Sequence, residues 1–125
     1  MKGIGIDIVE IERIERALAR HPALLQRIFS RDEIAYCQRK KYPFASFAAR
    51  FAAKEAVRKA CKCIPGRDAM PWCEIEVVSD GTAPKIRLSG KAAWVAEQKG
   101  IADFLISLSH CKKYACAVVV AIGWD

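Results

Sequence analysis

Gly3-Ile4-Gly5-Ile6-Asp7-Ile8-Val9-Glu10 runs straight into Ile11-Glu12-Arg13-Ile14-Glu15-Arg16-Ala17-Leu18-Ala19-Arg20, and the change of period between the two decides the fold. Over residues 2–10 the chain alternates. Ile4, Ile6 and Ile8 share one face, and Gly5, Asp7 and Val9 share the other, which is a strand pattern. From about Glu10 to Arg20, Ile11, Ile14 and Leu18 recur at helical spacing, and Arg13, Arg16 and Arg20 fall on a different face.

Working outward, Pro22 punctuates and Ala23 to Phe29 continues as a short helical piece. Ser30 followed by Glu33 fits a capping box opening a helix that reaches about Lys41. Pro43 precedes the longest helical segment, Phe44 to about Lys62, which is rich in alanine and ends at Ile64-Pro65-Gly66. Trp72 to Val78 and Pro84 to Leu88 read as partner strands across the turn Ser79-Asp80-Gly81-Thr82. Gly90 to Gln98 reads as a helix closed by Gly100, and Phe104 to Ser109 and Tyr114 to Ile122 as two further strands. The order β, several helices, β, β, α, β, β predicts an α+β class: a largely antiparallel sheet with helices packed on one face and one long central helix.

The chain has 125 residues, the size of a single domain, so residues 1–125 are read as one unit. Hydrophobic residues at 53% supply a core and argue against disorder. A deep cleft for a cofactor-sized ligand forms more easily between subunits of this length than within one. Lys and Arg number 21 against 14 Asp and Glu, a formal charge of +7 that attracts acidic proteins or polyanions. The six cysteines are scattered, and Asp7 falls where a signal peptide would need an apolar core, so a cytoplasmic protein with reduced thiols is expected. Apolar runs such as Tyr114 to Ile122 are too short to span a bilayer, so no membrane partner is expected.

A carboxylate at Asp7, in an apolar strand, is costly unless it is paired or binds a metal. Glu55 flanks the apolar side of the long helix within Arg50-Phe51-Ala52-Ala53-Lys54-Glu55-Ala56-Val57-Arg58-Lys59-Ala60, one acid framed by four bases. The ordinary reading is an i,i+4 pair of Glu55 with Lys59, worth about 0.2–0.5 kcal/mol. The alternative is a divalent cation. Magnesium takes oxygen ligands and is usually held by one or two carboxylates plus substrate phosphates, and Lys59 would neutralise phosphate charge. Ser107-Leu108-Ser109-His110 ends a strand and enters a short loop, where ligand contacts gather. The Arg13, Arg16 and Arg20 face, with Arg27 beyond it and Glu12 and Glu15 pointing elsewhere, is the candidate docking surface for an acidic partner.

Three segments taken in order resemble the short, trimeric holo-[acyl-carrier-protein] synthases of the phosphopantetheinyl transferase family. They are Gly3 to Ile11, Arg50 to Ala60, and Ser107-Leu108-Ser109-His110 followed by Tyr114-Ala115. The resemblance implies a magnesium-dependent transfer of 4′-phosphopantetheine from coenzyme A to a serine of apo acyl carrier protein. It releases adenosine 3′,5′-bisphosphate and serves fatty acid biosynthesis. It implies Asp7 and Glu55 as magnesium ligands and, with Lys59, as catalytic residues. Arg50, Phe51, Lys54, Lys59, Pro84 and His110 are then coenzyme A contacts, and Arg13, Arg20 and Arg27 meet the carrier protein, with Arg16 added to that docking set by the helix-face pattern. It further implies a homotrimer with active sites at subunit interfaces and no nucleic-acid partner. The general base stays open between Glu55, Asp7 and a water. The sequence departs from the family at Cys61-Lys62-Cys63-Ile64-Pro65-Gly66, where a glycine-containing turn is common, and at Cys111, which replaces a frequent hydroxyl residue. The rival readings are a small basic nucleic-acid-binding domain and a non-catalytic trimeric interaction module.

Overall fold

A computed structural model describes residues 1–79 and 81–124. Five strands and five α-helices follow one another as β1 (Gly3–Glu10), α1 (Ile11–Arg20), α2 (Ala23–Ile28), α3 (Arg31–Gln38), α4 (Pro43–Ala60), β2 (Ile75–Val78), β3 (Lys85–Leu88), α5 (Gly90–Gln98), β4 (Ile101–His110) and β5 (Tyr114–Gly123). The strands form an antiparallel sheet in the order β1-β5-β4 and a separate β2-β3 hairpin. The α+β expectation therefore holds, with the strands divided between two sheets. No helix among the described residues is long and apolar enough to cross a membrane.

Local boundaries follow the chemistry. Ser30 and Glu33 complete both halves of the capping box at α3, and Pro43 occupies the first turn of α4, where its missing N–H costs nothing. The expected strand from Trp72 is shorter than read. Residues Trp72–Glu74 form a 3-10 turn, with Glu74 N–H bonding back to Pro71 O, and the strand begins at Ile75. The turn residue Asp80 lies outside the described residues. Gly100 (φ 72) closes α5, and β4 starts immediately after it, earlier than the apolar pattern suggested.

The alanines of α4 bring helix and sheet into unusually close contact. Ala52, Ala53, Ala56 and Ala60 are buried against Ala117, Val119 and Ala121 of β5. An added Cβ at Gly3 would stand 2.0 Å from Ala60 O, and one at Gly5 2.1 Å from Ala56 O. Two strand residues advance about 6.6 Å and four helical residues about 6 Å, so β1 and α4 march in step along this seam. A second cluster of Ile28, Phe29, Cys37 and Phe47 ties α2 and α3 to α4, with the Phe29 and Phe47 ring centroids 4.9 Å apart.

One side of the sheet is thereby covered by α4. The other is bare: Ile4, Ile6 and Ile8 of β1 are 61%, 64% and 65% exposed, and Leu105 of β4 is 62% exposed. The isoleucines that define the strand pattern face outward, and the glycines face the core.

Candidate active site

The marching contact between β1 and α4 brings Asp7 to Lys59. The Lys59 ammonium donates to Asp7 Oδ1 at 2.9 Å and to Ile6 O at 2.9 Å. Glu55 lies one helical turn before Lys59, on the same side of α4. It does not form the i,i+4 pair that spacing alone allows. Its nearest cation is Arg58, whose NH1 is 3.5 Å from both carboxylate oxygens, and its hydrogen-bond donor is Trp72 Nε1 at 3.2 Å. Lys59 therefore joins the two acids' neighbourhoods, bonded to Asp7 on one side and following Glu55 by one turn on the other. A hollow of about 420 Å³ opens beside Glu55, Arg58 and Lys59, walled by the Cys63–Pro71 loop.

Two carboxylates on different elements, partly open to solvent, suit magnesium, which keeps several waters and needs few protein oxygens. Their side chains are 17% and 26% exposed. Among the described residues no group of three or more His, Cys, Asp or Glu gathers.

Lys54, expected from the resemblance as a coenzyme A contact, lies inside the protein. Its side chain is 0% exposed, and its ammonium donates to Glu33 Oε1 at 2.8 Å, to Trp72 O at 2.9 Å and to Ile75 O. All three donors are spent inside the protein. Glu33 in turn accepts from Ser30 N at 2.9 Å and from Val77 N at 2.9 Å. Burial lowers the Lys54 pKa, and the Glu33 carboxylate opposes that shift. This network locks α3, α4 and β2 together next to Glu55. Sequence reasoning found Glu33 only as a helix cap, because nothing in the string marks the second oxygen of its carboxylate as a core acceptor.

Arg50 is also buried. Its NH1 and NH2 donate to Ser46 Oγ and Ser79 Oγ, each at 3.0 Å, its guanidinium lies 4.2 Å over the Tyr36 ring, and its Nε has no partner. It lines a second hollow of about 420 Å³ together with Lys40, Lys41, Ser109 and His110. The Tyr36 hydroxyl is held below the ordinary phenol value, chiefly by its hydrogen bond with Lys40, with Arg50 adding to it. Phe51 packs on Trp72 with ring centroids 5.8 Å apart, and Pro84 precedes β3, in the hairpin that carries Ser79. Arg50 and Glu55 are five residues apart, about 140° around the helix, so the two hollows open on different faces of α4.

On α1 the arginine face is less uniform than the pattern suggests. Arg16 pairs with Glu12 at 2.6 Å, both side chains largely exposed, because i,i+4 residues on a helix meet. Arg13, Arg20 and Arg27 remain exposed. The atypical turn after Ala60 carries Lys62 at φ 54, so a lysine occupies the left-handed conformation where glycine is the ordinary choice.

Around α4 this α+β fold thus sets an aspartate–lysine pair, a glutamate one helical turn away and an arginine-lined hollow on another face. The model of the 4′-phosphopantetheinyl transferase superfamily matches residues 3–119. The holo-[acyl-carrier-protein] synthase of Moorella thermoacetica is 47% identical over 117 residues, covering 93% of this chain and 90% of its own. The crystal structure of the Helicobacter pylori holo-[acyl-carrier-protein] synthase in complex with coenzyme A is similar at a TM-score of 0.81 and 36% identity, covering 95% of this chain and 99% of that one. The Neisseria meningitidis holo-[acyl-carrier-protein] synthase reaches a TM-score of 0.86 at 31% identity, covering 98% of each chain. The chain belongs to the 4′-phosphopantetheinyl transferase superfamily, in its holo-[acyl-carrier-protein] synthase branch.

Proposed function

We propose that the phosphopantetheinyl transfer of this family runs, in this chain, at the β1–α4 seam, with Asp7 and Glu55 holding magnesium. The enzyme moves 4′-phosphopantetheine from coenzyme A onto a serine of apo acyl carrier protein, in the service of fatty acid biosynthesis, and releases adenosine 3′,5′-bisphosphate. The observation that carries the site is the pairing of Asp7 with Lys59, one turn from a Glu55 whose carboxylate has lone pairs to spare. Magnesium, when bound, would neutralise the pyrophosphate and polarise the phosphorus that the serine hydroxyl attacks. Lys59, 55% exposed, adds a mobile positive charge beside the leaving phosphate.

Arg50, Lys40 and His110 support a second anionic contact for coenzyme A in the other hollow. The hollows open on different faces of α4, and a ligand that uses both kinds of surface is accommodated where two copies meet. The bare apolar sheet face of Ile4, Ile6, Ile8 and Leu105 is what such a contact would cover, and a homotrimer is the reading it supports. Arg13, Arg20 and Arg27, with Arg16 shared with Glu12, offer the acidic carrier protein a positive surface.

The test is to incubate the protein with coenzyme A, magnesium and an apo carrier protein and weigh the carrier. A carrier that gains no phosphopantetheine mass would sink the reading. Glu55→Gln is expected to keep the fold and lose magnesium-dependent turnover by ~100-fold or more; full activity in that variant removes Glu55 from the ligand set.

A further inference from the structure

The elements around Glu55 are organised by a residue that the chemistry above does not use. Trp72 is tied to α4 at four places within two turns. Its carbonyl accepts from Lys54 Nζ at 2.9 Å, its ring packs on Phe51 at 5.8 Å, Arg58 lies 4.8 Å over the same ring, and its Nε1 donates to Glu55 Oε1 at 3.2 Å. We propose that Trp72 is a positioning residue for Glu55, holding one carboxylate oxygen so that the other is presented to the divalent cation. The inference rests on the reading of Glu55 as a metal ligand.

The choice of donor carries the argument. Indole N–H only donates and never ionises, so it orients a carboxylate without taking the negative charge that a cation needs. Arg58 is the competitor for that charge. Its Nε and NH2 are committed to Met70 O at 3.0 and 2.7 Å. Its remaining NH1 stands 3.5 Å from either oxygen of Glu55, beyond the usual 2.7–3.2 Å for such bonds. Oε1 therefore has a donor at the long end of that range, and Oε2 has none within it. Partners of this kind, one step behind a metal ligand, commonly change metal affinity by about 10–100-fold.

Trp72→Phe keeps the ring that Phe51 and Arg58 pack against and deletes only the N–H. Mn²⁺ is titrated into wild type, Trp72→Phe and Glu55→Gln with coenzyme A and no carrier protein, and free ion is read by electron paramagnetic resonance. The expected result is Mn²⁺ binding weakened ~10-fold or more in Trp72→Phe and lost in Glu55→Gln. Wild-type affinity in Trp72→Phe, with binding lost in Glu55→Gln, overturns the positioning role and leaves the metal ligand standing. Wild type that binds no Mn²⁺ overturns both. Should Trp72→Phe fail to fold, the wild type decides. Its Trp72 indole ¹H–¹⁵N resonance must move as Mg²⁺ is added, while those of Trp94 and Trp124, 59% and 71% exposed, stay still. An unmoved Trp72 resonance overturns the proposal.

Discussion

Helix α4 carries two lysine–carboxylate pairs of nearly equal length that differ in almost everything else. Lys54 meets Glu33 at 2.8 Å with both side chains sealed from solvent, and Lys59 meets Asp7 at 2.9 Å with side chains 55% and 17% exposed. In the first, every donor and both carboxylate oxygens are saturated by backbone and side-chain partners. In the second, Asp7 accepts from one ammonium and both groups are open to solvent. Separation alone does not tell a strut from a site. Unspent hydrogen-bonding capacity and access to solvent do.

That contrast can be broken most forcefully at the sealed pair. Lys54→Met leaves Glu33 buried without its cation and is expected to destabilise the protein by about 3–5 kcal/mol, read from the denaturant midpoint. A loss below about 1 kcal/mol would mean that the pair is not sealed in solution. At the open pair, Lys59→Ala is expected to change stability by no more than about 1 kcal/mol and to lower transferase turnover. An equal fall in stability for both variants would erase the distinction.

The smallest effect sharpens the comparison at a third carboxylate. Asp68 accepts from Ile64 N–H at 2.9 Å and meets Arg67 at 3.3 Å and Lys99 at 3.2 Å. These contacts, the backbone bond first, hold its pKa at about 2 against an ordinary 3.8. A depressed carboxylate contributes stability above its unfolded value and loses it as pH falls through the folded one. Asp68→Asn should therefore flatten the acid limb of the unfolding curve between pH 3.8 and about 2, followed by circular dichroism. An unchanged limb would show that the loop bond is absent in solution.

Much of the fold was legible because period and caps are local. The strand Gly3–Glu10, the capping box at Ser30 and the helix of Gly90–Gln98 are each specified by neighbours in the chain. What escaped is what depends on distant partners. Trp72 reads as a strand residue by type, yet Lys54, 18 residues earlier in the chain, draws its carbonyl into a turn. Lys54 sits in a basic run that suggests a ligand contact, and only the arrival of α3 and β2 reveals it as buried. The outward isoleucines were equally hidden, since alternation separates two faces without saying which one is covered.

The glycines at positions 3 and 5 set a tolerance on everything above. With helix carbonyls 2.0 and 2.1 Å from where a methyl would stand, they act as the shims of a machine vice. Thicken either by one carbon and the jaws no longer close to their working gap. A variant such as Gly5→Ala touches no substrate, yet it would pry the strand that bears Asp7 away from the helix that bears Glu55. The calibre of the strand–helix gap thus belongs to two residues with no side chain at all.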